Sequence, residues 1–193
     1  VDEAGGMGGW IAAGMCCTSH NVPMIPVYIV CSMFGFQRVG DLIWAAADQR
    51  CRGFLLGGTA GRTTLNGEGL QHGDGHSQVI AATVPNRLSY DPTCGVELAV
   101  IIQDGLRRMY AEQEDVFYYI TVMNENYYHP GMPEGVEQDI LKGMYLFRKG
   151  GASKKAPRVN LLGSGTIYMG VIAAAELLKD DWGVEADLWS CPS

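Results

Sequence analysis

Hydrophobic and polar positions alternate along the chain in two rhythms, one of helical period and one of strand character, with glycine between them. Positions 4–19 are small and apolar and predict a helix loosened by glycines in its first half. Positions 24–31, MIPVYIVC, are uncharged and β-branched and predict a buried strand. Val39, Leu42, Ile43 and Ala46 fall at helical spacing and predict an amphipathic helix over 37–50. GFLLGG at 53–58 reads as a second strand, after which regular pattern fails through GRTTLNGEGLQHGDGH at 61–76. Long irregular loops inside compact domains are more often functional than not.

Beyond that loop the pattern predicts a strand at 87–90, a long helix at 94–112 and a strand at 116–122, VFYYITV. A turn-rich, proline-containing segment, NENYYHPGMPEG, runs over 124–135, and a helix is expected at about 134–148. KGGASKKAP at 149–157 is a basic loop. VNLLGSG, a helix over 166–179 and VEADLWS then form one further strand–helix–strand unit. Strands alternating with helices imply an α/β fold with a mainly parallel sheet covered on both faces. The proline-containing segment predicts a boundary, with domains over 1–132 and 133–193.

Composition narrows the function. With 47% hydrophobic and 18% charged residues in a chain of 193, there is material for a core and no sign of disorder. A net charge of −7 repels phosphate and anionic lipid, so neither nucleic acid nor a membrane surface is an expected partner. No apolar run reaches the length of a membrane span. The six cysteines show no C-x-x-C spacing, which disfavours a zinc site and fits a reduced, cytoplasmic setting.

Candidate chemistry concentrates in the irregular loop, where Glu68, His72, Asp74 and His76 lie within nine residues. These types suit substrate contact or proton handling, or ligation of a divalent metal; alternatively, two of the four cap turns around Gly73 and Gly75. Gly73-Asp74-Gly75 resembles half of the thiamine diphosphate motif, but Asn86 comes too early and Asn124 too late to complete it, so the match is accidental. LLGSGT at 161–166 reads foremost as a tight strand-to-helix turn, with phosphate binding at a helix N-terminus the alternative. Glu3 reads as a first-turn acid that complements a helix dipole. Phe34 and Phe36 flank a glycine after a strand, where aromatics edge a pocket or fill the core. Arg38, Arg62 and Lys154–Lys155 read as solvated charges, and Phe117, Tyr118 and Tyr119 as strand core.

Four strings carry a resemblance: VDEAGG at the start, SMFGFQRVGDLIWAAADQR at 32–50, GGTAGRTTLNGEGLQHGDGH at 57–76 and ITVMNENYYHPGMPEG at 120–135. Together they resemble the homodimeric bacterial type of pyruvate dehydrogenase (acetyl-transferring), the thiamine-dependent decarboxylating component of its complex. The resemblance implies a transketolase-like pyrimidine-binding middle domain, lacking its N-terminal part, over 1–132, and the start of a second α/β domain over 133–193. It implies an internal fragment of a longer enzyme, inactive alone, with apolar strand edges that the intact protein covers. The magnesium and diphosphate ligands are expected outside this chain, and no metal ligand within it. The implied partners are a second copy of the protein, pyruvate and the dihydrolipoyl acetyltransferase component.

Carried over by position, the resemblance implies that Glu3 contacts a ring nitrogen of the cofactor's aminopyrimidine and that Phe34 stacks on that ring. Glu68 and His72 match residues near the reacting pyruvate, with His72 a proton donor when acetyl passes to a lipoyl group, and His76 in support. Cys31 stands near the substrate where relatives carry a tyrosine, which removes a phenolic hydroxyl, and Gly73 where an acidic residue is expected. Two other readings compete: a non-catalytic binding or assembly module, and a transketolase-type enzyme.

Overall fold

The computed structural model describes residues 2–58, 60, 72–123, 126–153 and 155–193. These form two compact units, residues 1–90 with 102–125 and residues 91–101 with 126–193.

The first unit is built on a four-stranded, all-parallel sheet of β1 (Val27–Cys31), β2 (Phe54–Gly58), β3 (Arg87–Tyr90) and β4 (Phe117–Thr121), in the order β1-β2-β4-β3. β4 is the apolar, aromatic run that the sequence marks as core, and Phe117, Tyr118, Tyr119 and Ile120 are all fully buried. Alternation sends Phe117 and Tyr119 to one face, against Trp10 of α1 (Glu3–Gly14) and Phe36 of α3 (Gly35–Asp48). Tyr118 goes to the other face. There it stacks on Tyr90 and donates to Asp104 of α5 (Gly95–Leu106) at 3.1 Å. Helices thus cover both faces, as a parallel sheet requires.

Close approach sets two glycines in this unit. A Cβ on Gly57 would lie 2.4 Å from the Tyr119 hydroxyl and 3.1 Å from Ser32, so β2 passes under both only with glycine there. A Cβ on Gly6 would fall 2.6 Å from the Tyr28 hydroxyl. Its absence lets α1 lie against Tyr28, whose hydroxyl donates to the Glu3 carbonyl at 3.4 Å. Asp2 begins α1 by accepting the Gly5 N–H at 2.8 Å.

Several local expectations are corrected. The first helix is two, α1 and a short α2 (Cys16–His20). β1 is shorter than expected, because prolines at 23 and 26 cannot donate to a ladder. It is also not buried: among the described strands it lies at an edge, and Val27 and Ile29 are 56% and 65% exposed. A five-residue helix, α4 (Ser77–Ala81), follows the loop without a periodic signal. α5 widens into a π-helical turn at Arg107–Ala111.

The second unit carries a three-stranded sheet in the order β5-β7-β6, from β5 (Tyr145–Arg148), β6 (Arg158–Gly163) and β7 (Glu185–Ser190), with β6 parallel and β5 antiparallel to β7. The expected long helix at 134–148 is instead α6 (Glu137–Lys142) followed by β5. Gly143, at φ 98°, closes α6 in a left-handed cap and turns the chain into the strand. α7 (Tyr168–Trp182) packs on this sheet through Tyr168 and Ala175 against Ala186 and Leu188. LLGSGT is the strand-to-helix turn, in which Gly165 takes φ 55° and Ser164 donates to Asp91 at 2.8 Å.

Buried at the heart of the second unit, Glu97 accepts from the Thr93 N–H at 2.5 Å, the Tyr145 hydroxyl at 2.8 Å and the Ser190 hydroxyl at 2.7 Å. Three donors compensate the cost of burying a carboxylate and tie α5 to β5 and β7.

Candidate active site

Parallel sheets gather ligand sites at the carboxyl ends of their strands. The carboxyl end of β1 does so here. Cys31 is its last residue, and Phe34 follows as the N-cap of α3. Their cleft, of about 540 Å³, is lined by Glu3, Tyr28, Ile29, Val30, Cys31, Phe34, Arg38 and His72. Three elements meet there: the first turn of α1, the β1–α3 junction and the end of the long loop.

The aromatic ring of Phe34 anchors the cleft. His72 meets it edge on, with centroids 5.2 Å apart and planes at 86°. Arg38 lies one helical turn beyond Phe34 and places its guanidinium carbon 4.7 Å from the ring centroid, a cation–π contact. The same guanidinium makes an ion pair with the Glu3 carboxylate. That pairing, more than any other cause, holds Glu3 below the usual carboxylate range.

Below the cleft the loop is fastened at Asp74. Its buried carboxylate accepts from the Ser77 hydroxyl at 2.5 Å and the Ser77 and His76 N–H groups at 3.0 and 3.2 Å. Burial alone would push this carboxyl up, yet the hydrogen bonds from Ser77 and His76 outweigh it and hold the group below its ordinary value. Gln37 of α3 joins the loop from the other side, its amide nitrogen 2.7 Å from the Met33 carbonyl and 3.2 Å from His76 Nε2.

The structure therefore brings Glu3, Phe34, Cys31 and His72 to one cleft and sets His76 beside it. Glu68 lies outside the described residues. Of the four titratable loop positions, Asp74 is a cap holding the start of α4. The sequence reading missed Arg38, taken for a solvated charge; its side chain is 52% exposed but spans Phe34 and Glu3. Its spacing to Phe34, four residues on one helix, was the available signal. Among the described residues no three or more His, Cys, Asp or Glu side chains gather to hold a metal ion, and no helix is long and apolar enough to cross a membrane.

Solved structures place this architecture in a class. A transketolase from Campylobacter jejuni matches 88% of the chain with a TM-score of 0.67 at 19% identity, over 24% of that protein's length. A transketolase from Pichia stipitis matches 86% with a TM-score of 0.65 at 16% identity, over 22% of its length. The fold is thus that of the transketolase-like α/β proteins.

Within that class, the chain belongs to the family of the pyruvate dehydrogenase E1 component, whose middle-domain model matches residues 1–130. It is 72% identical over 193 residues to the pyruvate dehydrogenase E1 component of Cupriavidus necator, and 61% to that of Pseudomonas aeruginosa. To the Escherichia coli K12 protein it is 56% identical over 194 aligned positions. The chain spans 22% of the length of each of these curated relatives.

Proposed function

We propose that this chain supplies the pyrimidine-facing half of a thiamine diphosphate site in a pyruvate dehydrogenase E1 component. The whole protein decarboxylates pyruvate and passes the acetyl group to the lipoamide of a dihydrolipoyl acetyltransferase. The observation that carries this reading is the convergence of Glu3, Phe34 and His72, from three separate stretches of sequence, on one cleft. The donor set suits the cofactor's aminopyrimidine. The Glu3 carboxylate suits a ring nitrogen, and the Phe34 face suits stacking without competing for the ring's hydrogen bonds, once Arg38 yields both.

When bound, thiamine diphosphate supplies a carbon nucleophile that attacks the 2-oxo group of pyruvate. Glu3 would hold a ring nitrogen of the aminopyrimidine through its carboxylate and so favour the form of the cofactor that generates this nucleophile. Phe34 holds the ring plane. His72, which lines the cleft against Phe34, is the proton donor for acetyl transfer, with His76 in support; the role of Glu68 near the pyruvate rests on the family resemblance alone. Cys31 brings a thiol and no phenolic hydroxyl to the end of β1, so more of the polar contact with substrate falls to His72. Magnesium and the diphosphate are held by residues outside this chain, which fits a cytoplasmic homodimer whose partner subunit completes the site.

The test is Glu3→Gln in the full-length protein. Without the carboxylate, pyruvate decarboxylation assayed with an artificial electron acceptor falls by roughly a hundredfold or more. Undiminished turnover rejects the role assigned to Glu3.

A further inference from the structure

Arg38 occupies both contacts that an aminopyrimidine needs. Its guanidinium is planar, rich in N–H donors and stacks on aromatic faces. It lies 4.7 Å from the centroid of Phe34 and pairs with Glu3 through the same group. Its attachment one helical turn after Phe34, with its own N–H donating to the Phe34 carbonyl at 2.9 Å, makes that overlap a property of the helix. Resting on the proposed cofactor site, the geometry points to Arg38 as a built-in stand-in for the aminopyrimidine, filling the slot between Phe34 and Glu3 until the cofactor's ring displaces it.

Exposure permits the exchange. The Arg38 side chain is 52% exposed, so its head can return to water along a flexible stem without crossing the core. Departure also changes Glu3. While paired, the carboxylate is held ionised by the cation beside it; once the cation leaves, its proton affinity rises as a ring nitrogen arrives to share a proton. The filled slot gives the carboxylate a counter-charge and covers part of the aromatic face, and an occupant that must leave first taxes association more than dissociation.

Stopped-flow binding of thiamine diphosphate to the full-length protein at saturating magnesium tests this. Arg38→Met should raise the association rate constant by roughly tenfold with the dissociation rate constant changed by less than about twofold. Arg38→Gln, neutral and closer in polarity, should behave alike and guards against a folding defect of the first variant, which circular dichroism also checks. Unchanged or slower association in both variants, or dissociation that speeds up, overturns the stand-in role and makes Arg38 a support for Glu3. If the wild-type protein binds no thiamine diphosphate, the functional reading falls and this inference with it. If it binds and the variants match it, only the inference falls.

Discussion

His72 and Phe34 meet edge to face, centroids 5.2 Å apart, across a fold in which one begins a helix and the other ends the long loop. The contact sets the imidazole against the Phe34 ring in the lining of the cleft. Replacing His72 with Ala should lower acetylation of lipoamide by roughly a hundredfold. Decarboxylation read with an artificial acceptor should change far less. Equal losses in the two assays make His72 a substrate-binding group.

Asp74 holds the loop that carries His72 and His76. Its folded-state value lies below the ordinary 3.8, so its stabilisation is complete above that value and disappears as pH falls through the lower one. Asp74→Ala should cost about 1–2 kcal/mol near neutral pH, as loss of a helix cap does. In acid titrations of stability the gap between wild type and variant should close below about pH 4. A gap that persists unchanged into strong acid would show that the carboxylate's charge plays no part.

Gly57 and Tyr119 are a packing pair. Gly57→Ala should destabilise by about 1–3 kcal/mol, since the new methyl meets a buried hydroxyl with nowhere to go. Tyr119→Phe in the same chain should recover part of that loss, because it removes the atom that clashes. Strict additivity of the two in denaturant melts would contradict the contact.

For Glu97 the expected cost comes from a mismatch of donors. Glu97→Gln sets an amide N–H₂ against a ring of N–H and O–H donors and leaves one of them unsatisfied, about 1–3 kcal/mol. Hydrogen exchange should rise first at Thr93 and along the first turn of α5. Uniform change across the chain would point to global destabilisation instead.

The sequence made much of this legible where the signal was local. β4 announced itself as FYYIT, uncharged and aromatic, and every residue of it is buried. α3 showed its apolar stripe through Val39, Ile43 and Ala46, all of which are core. The failures have physical causes. α4 is too short to express a period. β5 was absorbed into a helix because YLFR carries no strand alternation, although Lys142 followed by Gly143 is a helix-stop pattern. Glu3 illustrates the limit for the site: physics alone reads it as a first-turn acid, which it is, while its place in the cleft depends on Gly6 admitting Tyr28 and on Arg38 arriving from another helix. Resemblance supplied that position, and local periodicity could not.

The strand order has a consequence for how the molecule is made. Among the described strands β3 pairs only with β4, and β2 has β1 on one side and β4 on the other. Every described residue assigned to the cleft precedes Ser77, while β4 begins at Phe117 and contributes none of them. Within these residues β2 therefore lacks its β4 neighbour until residue 121 is available, and a pair of strands is marginal in water. The cleft is written first and set last: its side chains wait, unassembled, for a strand that never touches what the cleft is for. Translation between Ser77 and Thr121 thus sets how long β2 presents an unpaired edge before β4 closes against it.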